Sequence, residues 1–476
     1  MAVRKFILLA LCFALVLGDA EASETNTGNR CGFFSENSGL TCSISMRIDA
    51  MDARLHSLIP APPIPTRSAF LNFNLFAKKD LSENLRLTLD TDVYSQRNWR
   101  LQSRNIFTGN VRTEKESIKK STPETRLGIN EFFILVEPTP AWQVSAGKKR
   151  LIWGTGFASN PTDVLNPAKN MLDPTTEKRG SWLVLLENLR DDATYSFFAA
   201  PGVVENHNTI PTQVLTYKAS PEDVEEQHYI YGVRSYHLIG ESDLNLMLFE
   251  SQRYKDDISH QLKAGVSWSQ AISSWSDGLT AFAELLAQRG TSRSDSSLRS
   301  RGNSKALFYR VLAGVRYDFS NESALVAEFY RQNDGDSRSD FAQRLENLRS
   351  IQKVAAQINQ PSSQVQQSVQ TDGRFGNSIS TLNMQNYLFI NYQRYKISDD
   401  VLLSWSLIHN LHDASGYTGP SVVWTPSESI VLTLIAQSEF SYMSNAGIFV
   451  NGLGKVKETD INPSQARLGF ELKSFF

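Results

Sequence analysis

The sequence predicts an all-β protein, an antiparallel transmembrane β-barrel of about 18 strands (16–18) with long extracellular loops. Three observations lead to this fold class: an N-terminal export signal, repeated strict alternation of apolar and polar residues, and links that alternate between short and long. After the first residues no apolar run is long enough for a membrane-spanning helix, which excludes a polytopic helical membrane protein. The balance of 48 basic and 50 acidic residues argues against nucleic acid as a partner.

Residues 1–22 have the three parts of a secretory signal peptide. Arg4 and Lys5 are basic, residues 6–18 are apolar, and Ala20-Glu21-Ala22 is a small-x-small cleavage pattern. A core helix is the alternative interpretation. The signal predicts that the mature chain leaves the cytoplasm, with residues 23–42 as a periplasmic segment and 43–476 as the barrel.

Cys31 and Cys42 remain in the mature chain. In an oxidising compartment they would most simply form a disulfide, with metal binding as the weaker alternative. No haem, zinc-ribbon or zincin motif is present, so we expect no cofactor.

Alternation recurs in segments of about ten residues, the length that a tilted strand needs to cross a bilayer. The polar positions carry full charges, which would face water in a soluble sandwich or a wet lumen in a barrel. Alternation alone does not separate the two. The predicted strands are residues 43–50, 68–77, 85–94, 126–137, 142–151, 181–189, 193–201, 228–238, 243–252, 261–272, 279–288, 305–318, 323–331, 386–395, 401–411, 419–424, 429–440 and 465–476.

Link lengths favour the barrel. Short turns on one rim and long loops on the other are typical of bacterial outer-membrane barrels. Strand 43–50 is required because such barrels have even strand numbers, and without it the count is odd. The predicted long links are residues 95–125, 152–180, 202–227, 289–304, 332–385 and 441–464.

The last segment has apolar residues at alternate positions, Leu468, Phe470 and Leu472, and ends in Phe476. It resembles the outer-membrane insertion signature that the barrel-assembly machinery reads, although Ser474 departs from the usual apolar choice. The resemblance implies a bacterial outer-membrane location. The expected partners are the assembly machinery, membrane lipid and lipopolysaccharide, and an unspecified periplasmic protein is possible.

Residues 147–156 read Gly-Lys-Lys-Arg-Leu-Ile-Trp-Gly-Thr-Gly, and residues 160–167 read Asn-Pro-Thr-Asp-Val-Leu-Asn-Pro. The pair resembles a pattern of porin-like outer-membrane barrels related to alginate-export-type channels. Families of this kind conduct small hydrophilic solutes, hydrophobic compounds or polyanionic polysaccharide. The resemblance implies a channel and names no substrate.

The link 152–180 is too long for a plain connection and is rich in turn-forming residues, which favours a functional loop. We expect it to fold back against the inner wall and narrow the lumen. The alternative is an external loop with Trp153 in the interfacial aromatic belt. Weak anion preference is expected from the basic residues that precede it. The candidate pore residues are Lys149, Arg150, Trp153, Asn160, Asp163, Asn166, Arg310 and Arg316.

The link 332–385 has apolar residues at helical spacing between residues 341 and 358, which predicts an amphipathic helix that plugs the lumen, caps it or lies on the rim. The links 95–125 and 289–304 are basic and could attract anionic solutes or lipopolysaccharide phosphates, or simply be solvated.

The predicted function is therefore an outer-membrane channel for small solutes or an exported polymer. A barrel that serves as a sheath or docking platform for a partner protein is the alternative. A hydrolase using Ser406, His409 and His412 is a weaker one, because no Gly-x-Ser-x-Gly motif is present, and we expect no catalytic residues.

Overall fold

The computed structural model describes residues 40–53, 64–108, 111–120, 124–166, 180–203, 227–252, 260–273, 277–289, 307–343, 345–346, 384–395, 397–441, 446–450, 454–457 and 464–475. The strands are β1 (Leu40–Ala53), β2 (Ile64–Ser82), β3 (Leu85–Thr108), β4 (Val111–Lys120), β5 (Glu124–Thr139), β6 (Trp142–Lys149), β7 (Ser181–Leu189), β8 (Ala193–Val203), β9 (Gln227–Ile239), β10 (Ser242–Gln252), β11 (His260–Ala271), β12 (Leu279–Arg289), β13 (Leu307–Phe319), β14 (Ser323–Gln332), β15 (Asn386–Arg394), β16 (Val401–Asn410), β17 (Ser415–Ser427), β18 (Ile430–Ser441), β19 (Ile448–Val450), β20 (Gly454–Val456) and β21 (Ser464–Phe475).

Neighbouring strands pair antiparallel around a closed wall. β1 pairs with β2 on one side and with β21 on the other, so the sheet closes on itself. The main sheet has 19 strands, of which β4 pairs only with the far end of β3, so 18 remain in the wall. The prediction of an 18-strand antiparallel barrel is confirmed, and each predicted segment coincides with one wall strand.

The outward face is apolar, and the exposure of the inward side chains differs from one part of the wall to another. Phe73, Val184 and Phe197 are among the exposed apolar side chains of the outward face, whereas Leu185 and Ser196 of the inward face are fully buried. Because successive side chains of a strand point to opposite faces, the strand pairing determines for each residue of the wall whether its side chain points outward or inward. Among the described residues, no helix is long and apolar enough to cross a membrane.

The region 95–125, predicted as a long loop, instead continues β3 to Thr108 and returns as β4. The two strands pair from Trp99 with Lys120 to Thr108 with Val111. A hairpin that projects beyond the closed wall does not need one apolar face, so it lacks the alternation that identified the other strands. β2 likewise begins at Ile64, four residues before the predicted start of that strand at residue 68.

Parts of three links are described, and two of them contain secondary structure of their own. Residues 338–343 and 345–346 are helical, at the start of the predicted amphipathic helix, whose continuation to residue 358 lies outside the described residues. β19 and β20 form a short hairpin in the link between β18 and β21. Residues 151–166, which follow β6, have no regular structure.

Candidate functional site

Residues 151–166 lie against the inward face of β7 to β10. Trp153 is 4% exposed, and its ring lies 5.2 Å from the Phe198 ring, edge to face, and 6.4 Å from the Phe249 ring in a stacked arrangement. The Arg234 guanidinium lies 5.4 Å from the Trp153 ring. Leu151 and Leu165 belong to the same buried cluster. These contacts place Trp153 among inward-facing side chains, away from the aromatic residues on the outer surface.

Glu284 of β12 receives hydrogen bonds from this segment. The backbone N–H groups of Thr155 and Gly156 donate to Glu284 Oε1 at 2.6 and 2.7 Å. Thr162 donates to Oε2 from its backbone N–H at 3.1 Å and from its hydroxyl at 2.7 Å. The carboxylate is 2% exposed, so these donors replace the water that it would otherwise need.

Glu328 of β14 holds the neighbouring part of the segment. It accepts from the backbone N–H of Phe157 and, at 2.9 Å, from that of Ala158. Glu328 is 1% exposed and has the inward parity of Val326 and Tyr330. The two carboxylates thus attach residues 155–162 across the inside of the barrel. Their role as anchors was not predicted, although a Glu at an inward position between apolar neighbours was a signal that could have found it.

The turn-forming residues make hydrogen bonds within the segment 151–166 and so fix its conformation. Asn160 Nδ2 donates to Gly156 O at 2.8 Å, and Asn166 Nδ2 donates to Asp163 Oδ1 at 2.8 Å and also to Leu151 O. Gly154 has a φ of +106°, and a Cβ there would lie 2.9 Å from Glu284 Oε1. Glycine is therefore required by both conformation and space.

Lys149 and Arg150 come just before the segment and contact carboxylates of the inward face. Lys149 Nζ donates to Ser145 Oγ at 3.0 Å and lies 3.9 Å from Glu187 Oε2. Arg150 Nη2 lies 3.7 Å from Asp90 Oδ2, and its backbone N–H donates to Glu131 at 2.7 Å. Both cations therefore have anionic neighbours.

A second buried cluster joins three links inside the barrel. Phe157 and Ala158 of the 151–166 segment pack with Phe341 and Leu345 of the described helical residues, with residue 384 and with the β19–β20 hairpin. The wall supplies inward residues of β12 to β16 to the same cluster. Its buried members from the links are Ala158, Phe341, Leu345, Met384, Ile448 and Val456, and those from the wall are Phe282, Leu312, Val326, Tyr330, Tyr387, Phe389 and Ile408.

Arg310 and Arg316 of β13 lie at different levels. Arg310 Nη2 lies 3.2 Å from Asp334 Oδ2, and that carboxylate is 1% exposed. Arg316 Nη2 lies 2.8 Å from Asp318 Oδ1 near the short link after β13, where both side chains are partly exposed. The structure does not bring these two arginines together with Lys149 and Arg150 into one set of contacts among the described residues.

The inward face divides into two regions. We call β7 to β15 the packed wall, because its inward side chains are largely buried under the links; examples are Leu185 at 0%, Phe249 at 1% and Phe389 at 1% exposure. We call β17, β18, β21, β1 and β2 the open wall. Most inward side chains described there are half-exposed, and they include Asn72, Asn74, Ser421 and Thr433.

The other predicted sites can also be located. Ser406 accepts a hydrogen bond from Asn391 at 2.8 Å, His409 is three residues along the strand and so on the opposite face, and His412 contacts Asn386 at 2.9 Å, so the three do not converge. Cys42 is 5% exposed and disulfide-bonded, while Cys31 lies outside the described residues. Leu468 and Phe470 are exposed on the outward face of β21, and Leu472 shares their parity; Phe476 lies outside the described residues.

These features define a class of protein: a large closed antiparallel barrel whose lumen is partly filled by its own links. No protein-family model and no curated protein matches the sequence. Solved structures that are similar in fold include OccK7 (OpdD) of Pseudomonas aeruginosa, at 8% identity with a TM-score of 0.48, covering 93% of this chain and 99% of that one. OprB of Pseudomonas putida at high pH has 11% identity and a TM-score of 0.43, covering 92% and 94%. OmpF of Salmonella typhi in complex with daunomycin has 8% identity and a TM-score of 0.43, covering 92% and 97%.

Proposed function

We propose that this protein is an outer-membrane channel for small hydrophilic solutes, and that the solutes pass along the open wall. The observation that carries the proposal is the contrast in exposure on the inward face of one closed barrel. The packed wall is covered by residues 151–166, the helical residues after position 337 and the β19–β20 hairpin, whereas Asn72, Asn74 and Thr433 on the inward face of the open wall are half-exposed. A closed barrel of this strand number is wide enough for an aqueous path beside such links.

The chemistry of the open wall suits small hydrophilic solutes. Arg47 and Glu471 lie 3.8 Å apart and carry opposite charges, and Ser404 Oγ of the adjacent β16 lies 2.7 Å from Ser421 Oγ. Hydroxyl and amide groups can replace part of a solute's hydration shell, while charges of both signs create no strong field of one sign. The proposed path is therefore polar and only weakly selective. The anion preference expected from Lys149 and Arg150 remains part of the proposal, and Glu187 and Asp90 beside them limit it.

The outer-membrane location and the cleaved signal also belong to the proposal. The apolar outward face supports the membrane location, because such a face would be unfavourable in water and is stable in lipid; the cleaved signal rests on the sequence of residues 1–22. The relation to alginate-export-type channels rests on residues 147–167 alone. Two buried carboxylates attach part of that motif to the wall, and a fixed obstruction of this kind favours small solutes over an exported polymer.

The test is single-channel recording of the refolded, purified protein in a planar bilayer, followed by liposome swelling with neutral sugars of increasing size. We expect steady conductance without a partner protein and a size limit for uncharged solutes. A protein that is folded, as shown by its faster migration on unheated gels, but does not conduct would contradict the channel. Co-purification of a periplasmic protein with the non-conducting barrel would favour the alternative function, a docking platform for a partner protein.

A further inference from the structure

The β3–β4 hairpin extends past the closed wall at the rim of the long links. β5 pairs with β3 only as far as Gln96, and β4 pairs with β3 from Trp99 to Thr108. The short turn between β2 and β3 lies at the opposite rim, so the hairpin belongs to the rim of the long links. At the rise of an antiparallel strand, the paired part of the hairpin is roughly 33 Å long.

The strand register divides this hairpin into two faces. Asp92 is 3% exposed on the inward face and Val93 is 45% exposed on the outward face, so the even-numbered residues of β3 belong to the inward face. Residues directly opposite each other in an antiparallel pair share a face. We call the face that continues the inward side of the wall the inner hairpin face. Its central pairs are Arg100 opposite Lys119, Gln102 opposite Ser117 and Arg104 opposite Lys115.

The charge of the hairpin is concentrated on the inner hairpin face. All charged residues that the β3–β4 register assigns to this face are basic: Arg100, Arg104, Lys115 and Lys119. The other face has two basic residues and two acidic ones, which cancel: Arg112, Lys120, Glu114 and Glu116. In the described register, the next acidic residues on the inward side are Glu124, opposite Gln96, and Asp49, two strands away at the level of Asn98. Strand geometry separates each of them from Arg100 by more than about 10 Å.

The basic residues form two cross-strand pairs of like charge. Like charges directly opposite each other destabilise a strand pair, so Arg100 with Lys119 and Arg104 with Lys115 oppose the hairpin that contains them. An anionic group bound at each pair would replace this repulsion by attraction. The two pairs are four residues apart along the strands, roughly 13 Å. One small anion therefore reaches one pair, whereas an extended molecule with several anionic groups reaches both.

We propose that the inner hairpin face binds an extended oligoanion, a solute with several carboxylate or phosphate groups along its length, and delivers it to the mouth of the channel. Arginine binds such groups with two parallel hydrogen bonds, and lysine adds a mobile charge. Gln102 and Ser117, between the two pairs, supply neutral hydrogen-bonding groups. This inference rests on the proposed channel and names a class of solute for it, while the binding step itself is measured without conduction.

The experiment measures the binding of fluorescent hexagalacturonate and of a fluorescent linear polyphosphate to the refolded full-length protein in detergent at low salt. The test variant is Arg104→Gln with Lys115→Gln, on the inner hairpin face. The control is Arg112→Gln with Lys120→Gln, which removes as many positive charges from the other face of the same hairpin. We expect the test variant to weaken binding by about fivefold or more, and the control to bind as the wild type does.

Two further measurements test the extended geometry. Arg100→Gln with Lys119→Gln should weaken binding as the test variant does, because it removes the other pair. Galacturonate monomer should compete poorly even at an equal concentration of carboxylate, because it reaches only one pair. Tighter binding of one of the two probes would assign the preferred anionic group, carboxylate or phosphate.

Equal losses in the test and control variants would overturn the proposal, because the net charge of the hairpin would then explain the binding. A wild type that binds neither probe, or a monomer that competes as well as the hexamer, would overturn it too. Migration on unheated gels shows that each variant is folded, and conductance in potassium chloride is recorded on the same preparations. A barrel that conducts but binds neither probe contradicts only this inference, and a non-conducting barrel whose binding depends on the inner hairpin face contradicts only the channel.

Discussion

The packed wall and the open wall belong to one barrel and both have apolar residues on the outward face, but they differ in what covers their inward face. Many inward residues of the packed wall are large, apolar and buried, such as Leu185, Phe249 and Phe389, and links of the chain pack on them. Inward residues of the open wall include polar and charged residues such as Asn74, Arg47 and Glu471, which remain partly exposed.

This difference teaches that a strand of a large barrel can be buried on both faces. Some strands of the packed wall, such as β7 and β15, have apolar residues on the outward face and apolar residues also on the inward face, as parallel strands do between two layers of helices. The inward face of the packed wall also has buried polar residues, such as Asn245, Gln288 and Asn391. Among the polar residues there, Glu284 and Glu328 accept hydrogen bonds from backbone N–H groups of residues 155–162. These two carboxylates therefore position a link, whereas the partly exposed polar residues of the open wall are available to a solute.

The largest effect should follow from breaking the attachment of residues 155–162. Replacing both Glu284 and Glu328 by Ala removes the acceptors of at least five backbone or hydroxyl donors. Each hydrogen bond to a charged group contributes about 1.5–3 kcal/mol, and the donors left behind are unsatisfied. We expect the segment to leave the wall and single-channel conductance to rise severalfold. Glu471→Ala in the open wall is the control, and a folded double variant with wild-type conductance would contradict the comparison.

Trp153→Ala should have the next largest effect, on stability. Its ring is buried against Phe198 and Phe249, and truncation of a buried aromatic residue costs about 3–5 kcal/mol. We expect a lower denaturant midpoint and a smaller rise in conductance than in the double Glu variant. Trp182→Ala is the matched control, because Trp182 is 41% exposed on the outward face. Equal losses in the two variants would mean that Trp153 is not part of a packed interior.

The sequence predicted the strands better than it predicted which of them have links of the chain packed on their inward face. Strict alternation in Leu71–Leu75 and Leu85–Val93 located β2 and β3, because one face of each strand is polar there. Residues 182–186, Trp-Leu-Val-Leu-Leu, and 387–390, Tyr-Leu-Phe-Ile, are continuous apolar runs in the packed wall. Such runs indicate burial on both faces, but they do not say which link covers the inner one, since that depends on contacts distant in sequence. The pairing of Glu284 with residues 155–162 is one such contact.

Charge substitutions should separate the two walls by their effect on selectivity. Arg47→Gln removes a partly exposed positive charge from the open wall and should shift the zero-current potential in a salt gradient toward cation preference. Glu471→Gln should shift it in the opposite direction. Arg310→Gln should shift it less, because the Arg310 guanidinium lies 3.2 Å from the buried Asp334 carboxylate, which already opposes its charge. The measurement uses dilute salt, because screening weakens the effect.

The Lys149→Glu and Arg150→Glu double variant should give an intermediate shift toward cation preference, because both residues precede the segment and already have anionic neighbours. An unchanged zero-current potential in a properly inserted double variant would show that Lys149 and Arg150 do not lie in the permeation path. A shift from Arg310→Gln as large as that from Arg47→Gln would mean that the packed wall is also open to ions.

The smallest expected effect is a pH dependence at the edge of the packed wall. Burial and the guanidinium group of Arg338 lower the pKa of His412 below its ordinary value; Arg331 acts in the same direction and Asp413 opposes them. The fold therefore favours the neutral imidazole, and this contribution to stability is complete above the ordinary pKa of about 6.5 and is lost as the pH falls through the lower value in the fold. The temperature at which the folded band disappears on gels should thus fall slightly as the pH drops from about 8 to about 5. His412→Gln should reduce that fall, and Arg338→Gln should reduce it in part, since one of the two neighbouring guanidinium groups is then absent. A wild type and a His412→Gln variant with the same pH dependence would show that protonation of His412 does not contribute to the stability of the fold.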